Sequence, residues 1–278
     1  MSSMSNITNI TILPIELLEE IFSCLDIPSL LNCLYQNHKF FSLTIPLIWK
    51  DLGDIYWGVG PKTPLRWRLI SDILLSSEKT FVDYAIFVQK IDLTCSRSPE
   101  FRVSKQTLRH LLINGIRLKE INFQYHQEPS SFIEPFECLR EINSSLQIST
   151  PPTTPPSSFS SNSIINTPIA PIRKVTMKLY NVSPALIISL FAKYINTLEE
   201  LILQIMYELS PLPYDDLRLL VKNNQKLNYM ELYTIEGDFW DEFGGFLIDE
   251  FIASGRNGVF IYTLRVEGQS VFQFHSNS

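Results

Sequence analysis

Apolar residues near the start of the chain fall at Leu17, Leu18, Ile21, Phe22 and Leu25, a helical spacing that predicts an amphipathic helix within Leu13–Leu25. Pro14 suits its first turn, where a missing N–H costs nothing, and Glu16, Glu19 and Glu20 oppose the helix dipole. Asp26-Ile27-Pro28 breaks this helix, and Ser29 is the expected cap of a second, with apolar positions Leu30, Leu31, Cys33 and Leu34. A third helical pattern surrounds Phe40–Leu43, with Pro46 ending it or restarting the chain before Trp49-Lys50. Three helices this short have little core of their own, so a partner covering their apolar surface would help them.

Beyond them a different pattern recurs, apolar-x-x-apolar-x-apolar. Its six occurrences are Val88/Ile91/Leu93, Leu118/Ile121/Phe123, Ile172/Val175/Met177, Leu198/Leu201/Leu203, Leu227/Met230/Leu232 and Ile261/Leu264/Val266. The starts, at 88, 118, 172, 198, 227 and 261, are spaced by 30, 54, 26, 29 and 34 residues. Helical stretches such as Pro184–Ile195 and Asp215–Lys222 lie between the expected short strands. A strand-plus-helix unit at this period is the signature of leucine-rich repeats, each unit burying its apolar residues against its neighbours. The position where such repeats usually carry Asn or Cys holds Ser96, His126, Tyr180, Met206, Ile235 and Gln269, so the repeats would be irregular. A generic α/β domain also alternates strands and helices, and remains the alternative.

The one long gap contains the sharpest change in composition. Asn143–Pro171 holds Ser, Thr and Pro in most positions and is expected to be a disordered insert. The expected organisation is therefore a disordered 1–10, a helical module at 11–52, a repeat domain in two parts at 53–142 and 172–278, and the insert at 143–171 between them. Thr150-Pro151, Thr154-Pro155 and Thr167-Pro168 in the insert are candidate sites for a proline-directed kinase.

Of the 278 residues, 45% are hydrophobic and 19% charged, which is ordinary globular composition. The formal net charge of −6 argues against a general nucleic-acid binder. No apolar run reaches the roughly 18 residues of a membrane span; the best, Ala185–Ala192, is followed by Lys193. Met1–Asn9 lacks the basic and apolar regions of a secretory signal. Cys24, Cys33, Cys95 and Cys138 form no C-x-x-C pair and no zinc spacing with His38, His110, His126 or His275, and read as buried thiols in a reducing compartment. The sequons at Asn6, Asn9, Asn143 and Asn181 then carry no meaning.

Leu13-Pro14, the Glu-x-x-x-Glu-Ile-Phe run ending at Phe22, Asp26, Ser29-Leu30-Leu31-x-Cys33 and Pro46-x-x-Trp49-Lys50 together resemble an F-box, similar in style to the large F-box families of fungi. The resemblance covers about Thr11–Leu52. Gln36 departs from it, standing at a packed position where an aliphatic residue is usual, and Phe40 stands where Trp is common. The resemblance implies a mixed fold, an all-α three-helix F-box followed by an α/β solenoid of irregular leucine-rich repeats. It implies a substrate-recognition adaptor of a Skp–cullin–F-box ubiquitin ligase, acting in the cytoplasm, the nucleus or both. The F-box would bind the Skp adaptor, and through it a cullin scaffold, while the repeats hold an unknown protein substrate. Carried over position by position, the adaptor-facing residues are Leu13, Pro14, Leu17, Leu18, Ile21, Leu30, Leu31, Leu34, Ile45, Pro46 and Trp49, some of which must pack the bundle instead. A scaffold acting outside a ligase is the second reading, and an enzyme with an unrecognised site the third.

Strand alternation assigns a substrate face. If Ile91 and Leu93 point inward, Asp92 and Thr94 point out. The same alternation exposes Asn122, Gln124, Thr176, Lys178, Tyr180, Gln204, Met206, Glu231, Tyr233, Arg265 and Glu267. The sequence holds no nucleophile elbow, P-loop, H-E-x-x-H or G-x-G-x-x-G, so no catalytic residue, metal ligand or cofactor is expected, and neither is a nucleic-acid or membrane partner. Asp238–Gly245, rich in carboxylates and aromatics, reads as a loop between a strand and its helix, or as a partner-binding loop. Ser254-Gly-Arg-Asn-Gly258 reads as a turn, and His110 as a surface or packing residue.

Overall fold

The computed structural model describes residues 12–52, 67–76, 82–93, 103–125, 134–142, 169–179, 185–205, 213–234, 243–264 and 268–274. The disorder expected at 1–10, nearly all of the Ser/Thr/Pro insert, its Thr-Pro sites and Asp238–Glu242 lie outside them. Residues 169–171, expected to belong to the insert, are described: Ala170 is buried and its N–H donates to Leu112 O at 2.8 Å, so these residues belong to the folded part.

Three helices open the chain: α1 (Ile15–Ser23), α2 (Ile27–Leu34) and α3 (His38–Trp49). Pro14 precedes α1 as its cap residue rather than lying within its first turn. Asp26, not Ser29, caps α2: its Oδ1 accepts the Ser29 N–H at 3.0 Å, and Pro28 occupies the first turn. Hydrogen bonds from Ser29 hold the Asp26 carboxyl below its usual pKa. Asn37 caps α3 through the Phe40 N–H at 2.9 Å.

α3 runs unbroken through Pro46, contrary to the expectation that this residue ends or restarts the helix. The proline removes the N–H that would have served Ser42 O, and Ser42 is exposed, so water can take that place. Leu18, Phe22, Leu30, Phe40 and Leu43 fill the space between the helices, with Phe22 meeting Phe40 edge-on at 5.0 Å. Gln36 is exposed and its Nε2 bonds Asn32 O at 3.4 Å, so it does not occupy a packed position.

The rest of the described chain is α/β. Helix α4 (Trp67–Leu75) and the 3-10 turn Tyr84–Phe87 lead to β1 (Lys90–Asp92). Then come α5 (Lys105–Asn114), β2 (Glu120–Tyr125), a 3-10 turn at Glu134–Glu137, β3 (Lys174–Leu179), α6 (Ala185–Tyr194) and β4 (Glu200–Ile205). They are followed by α7 (Tyr214–Asn223), β5 (Tyr229–Thr234), α8 (Gly245–Ala253), β6 (Gly258–Leu264) and β7 (Gly268–Phe274). The expected helices at Pro184–Ile195 and Asp215–Lys222 correspond to α6 and α7.

The strands form one sheet in chain order, β1 to β6 parallel and β7 antiparallel at the end. This sequential order differs from that of a doubly wound sheet, which reverses direction partway. Ile91, Ile121, Val175, Leu201 and Met230 stand side by side as the triads require, but the sixth partner is Phe260. The expected triad Ile261/Leu264/Val266 is therefore out of register by four residues. Phe260 is buried where Leu264 was expected, and Ile261 lies on the opposite face beside Glu231. Strand β7 was not foreseen.

The starts of β2 to β5 repeat one backbone motif, a carbonyl before one strand accepting two successive N–H groups at the start of the next. Gln89 O accepts from Lys119 and Glu120, Lys119 O from Arg173 and Lys174, Arg173 O from Glu199 and Glu200, and Glu199 O from Asn228 and Tyr229. The motif begins in the helical module: Lys50 O, just past α3, accepts from Gln89 and Lys90, while Leu52 N–H donates to Lys90 O at 3.0 Å. Asp51 thus bridges to Lys90 as a rudimentary extra strand, and Trp49 stacks on Tyr84 at 4.7 Å. The module and the sheet share one continuous hydrophobic core.

Burial alternates strictly along β3 and β4, with Val175, Met177, Leu179, Leu201, Leu203 and Ile205 facing inward. Crossovers between sequential parallel strands are right-handed as a rule, which puts their helices on one face, and Phe191 of α6 meets Phe123 of β2 on the inner one. Phe123, Phe136 and Phe191 meet there at centroid distances of 5.4 to 6.1 Å. On the other face Thr176, Lys178, Ile202 and Gln204 are half-buried.

Candidate functional site

Two surfaces follow from this arrangement. The first lies on the helical module. Helix α1 buries Leu18 and Phe22 and turns Leu17 and Ile21, four residues apart on one side, outward. Ile12 is 78% exposed, Ile15 45%, Leu17 47%, Ile21 38% and, at the end of α2, Tyr35 83%. Such a concentration of large apolar side chains in one small module is what a partner-binding patch requires. Lys39 Nζ donates to Leu13 O at 3.0 Å and ties the segment before α1 to α3.

The eleven residues expected to face an adaptor divide three ways. Pro14, Leu17 and Ile21 are exposed; Leu13, Leu31, Leu34 and Pro46 are half-buried. Leu18, Leu30, Ile45 and Trp49 are buried and pack the core of this chain.

The second surface is the outer face of the sheet. Of the residues expected there, Asp92, Asn122, Thr176, Lys178, Gln204, Glu231 and Tyr233 are half-buried on it, and Gln124 stands in register with Lys178. Tyr180, Arg265, Thr94, Met206 and Glu267 fall outside the described residues. Asp92, Asn122, Thr176, Ile202, Glu231 and Ile261 form one row across six strands.

The row at the strand starts is ionic. Lys90 Nζ lies 3.3 Å from Asp51 Oδ2 and 4.0 Å from Glu120 Oε1, and Lys174 Nζ lies 2.8 Å from Glu200 Oε2. These pairs match neighbouring strands in charge and help fix register. Tyr229 Oη donates to Glu231 Oε2 at 3.1 Å. Burial, together with this carboxylate, pushes the Tyr229 phenol above its usual pKa. A cavity of about 300 Å³ opens on the face, lined among others by Asp92, Asn122, Thr176, Lys178 and Ile202. The Asn122 Oδ1 atom is buried there without a hydrogen-bond partner.

Two residues that sequence reasoning missed hold the frame of this surface. Asn224, fully buried after α7, accepts the Leu198 N–H at 2.8 Å and donates to Ile195 O and Leu220 O at 3.0 and 2.8 Å. It joins the end of one helix to the approach of β4. Arg256 donates to Asn224 O at 3.0 Å and Val221 O at 3.4 Å and lies 4.5 Å over the Phe251 ring. Its turn, with Gly255 at φ +62°, is the one expected at 254–258.

The remaining candidates have structural roles. His110 Nε2 lies 3.4 Å from Asp83 Oδ1 and its Nδ1 3.0 Å from Asn114. Phe243 is buried against Tyr214 and Phe246. Cys138 is buried, and desolvation pushes its thiol up to about 12; Cys24 is exposed, contrary to the expectation of buried thiols. Among the described residues no cluster of His, Cys, Asp or Glu could hold a metal, and no helix is long and apolar enough to cross a membrane. No family model matches the chain, and no curated protein matches it.

Proposed function

We propose that this chain is a substrate-recognition adaptor of a Skp–cullin–F-box ubiquitin ligase, working in the cytoplasm, the nucleus or both. Its α1–α3 module is the F-box that docks on the Skp adaptor, and its strand–helix units are irregular leucine-rich repeats that hold a protein substrate. The observation that carries the reading is the exposed apolar side chains of Ile12, Ile15, Leu17 and Ile21, in a module whose sequence elements resemble an F-box. Covering a half-exposed Leu or Ile stabilises a complex by about 1 kcal/mol each. The repeat reading draws support from the sequential parallel order and the recurring carbonyl motif.

On this reading the protein breaks no bond. It raises the local concentration of substrate lysines near the ubiquitin-loaded enzyme. The shared core of module and sheet suits that role, because it fixes one surface relative to the other. The alternative is an interaction scaffold that uses the adaptor as a stable partner outside a ligase.

The test is binding of the full chain to purified Skp adaptor, with a Leu17→Asp/Ile21→Asp double variant beside it. Both side chains are exposed, so the variant keeps its fold, whereas a charge at the buried Leu30 would unfold the module. The expected result is loss of about 2 kcal/mol or more, roughly 30-fold in Kd, with unchanged circular dichroism. Equal binding by wild type and variant, or none by the folded wild type, overturns the reading.

A further inference from the structure

Among the described residues, two charges on the outer sheet face have no ionic partner. Lys90 and Lys174 are paired with neighbouring carboxylates. Lys178 on β3 has no ionic or hydrogen-bond partner among the described residues. Glu231 on β5 takes one hydrogen bond from Tyr229, and no described cation pairs with it. Between them lies β4, with Ile202 in register with Glu231 and Gln204 in register with Lys178. Beside Lys178, the cavity carries the buried, unpartnered Oδ1 of Asn122, an acceptor awaiting a donor.

We infer that this face binds an extended segment of a partner protein with an acidic residue at one position, an apolar residue two further on and a basic residue four further on. The inference rests on the proposal that the sheet is the substrate face and gives that substrate its chemistry. Two strand spacings and a two-residue offset put Lys178 and Glu231 about 12 Å apart, and four extended residues span about 13 Å. Residues i, i+2 and i+4 of an extended chain share a side. The acid therefore meets Lys178, the base meets Glu231, and the apolar residue between them covers Ile202. The chain next to the acid supplies a main-chain N–H for Asn122 Oδ1.

The anion is a carboxylate rather than a phosphate. A single unpaired lysine balances one negative charge, and Glu231, which no described cation neutralises, repels a doubly charged group on the same face.

The experiment is an array of seven-residue peptides in both charge orders, probed with the full chain and followed by anisotropy titration. Its arms are acid/base, uncharged, acid/acid, base/base and phosphoserine/base. Wild type is expected to select acid/base peptides. Lys178→Glu should weaken them by at least about tenfold and select base/base peptides, while Glu231→Lys should select acid/acid peptides. Selection unaltered by either substitution, absence of charge preference, no binding at all, or preference for phosphoserine overturns the inference. Both variants are expected to bind the Skp adaptor like wild type. A wild type that binds the adaptor but selects no acid/base peptide therefore refutes this inference alone, and a folded wild type that fails to bind the adaptor refutes the underlying reading.

Discussion

Replacing Asn224 by Ala removes a side chain that has no contact with solvent and makes three hydrogen bonds. Leu220 O retains a donor, the Asn224 backbone N–H at 3.1 Å. The Leu198 N–H and Ile195 C=O lose the partner that Asn224 gave them. Each orphaned buried group costs about 1–3 kcal/mol, so the variant should lose about 2–6 kcal/mol. That is a large share of the 5–15 kcal/mol typical of a folded domain. Urea unfolding should show a lower midpoint with an unchanged slope. Asn223→Ala is the internal control: that residue is exposed and makes one bond, to Ala192 O at 2.7 Å, so it should cost under about 1 kcal/mol. If the two variants lose the same amount, or Asn224→Ala loses less than about 1 kcal/mol, then the α7–β4 junction does not depend on this bridge.

Trp49→Ala, which removes a buried ring stacked on Tyr84, should cost about 3–5 kcal/mol in the same assay and loosen the joint between module and sheet. Arg256→Ala should lose roughly 2 kcal/mol, because its bonds to the Val221 and Asn224 carbonyls are charge-assisted. Cys138 contributes stability that depends on pH. Its folded pKa, about 12, lies above the ordinary value of 9.0, so the contribution is full below pH 9 and is lost as pH rises from 9 toward 12. Denaturation midpoints measured from pH 7 to 11 should fall above pH 9. A thiol reagent at pH 8 should label Cys24 quickly and Cys138 only on unfolding.

Periodicity located most of the described elements but could not settle which side of each faced in. Leu17 and Leu18 are adjacent and equally apolar, yet one is exposed and the other fully buried. Only the position of α3 decides between them. The slip at β6 has a similar origin. The true triad begins at the polar Asn257, so an apolar template passes over it and settles four residues later. Gly258 was the available signal: a Cβ there would lie 2.6 Å from the Phe251 ring and 3.0 Å from Asn228 O, so the glycine marks where the strand starts against the helix. Pro46 misled because helix-breaking rules describe an average environment, and here the lost bond falls where water is near.

The outer face was legible in outline because alternation in a one-sided sheet is strict. Its chemistry was not. Lys174 and Lys178 look alike in sequence, and only the register that sets Lys174 beside Glu200 leaves Lys178 as the unpaired one. Asn224 and Arg256 act through contacts across 26 to 35 residues of chain, which no local pattern records.

Ligase assembly is tested most directly by mixing the full chain with purified Skp adaptor and the N-terminal part of a cullin, then following all three by size-exclusion chromatography with light scattering. The predicted result is one equimolar complex, lost in the Leu17→Asp/Ile21→Asp variant. A folded wild-type chain that elutes alone while adaptor and cullin elute together would contradict the assignment, and a chain that binds the adaptor but excludes the cullin would favour the scaffold.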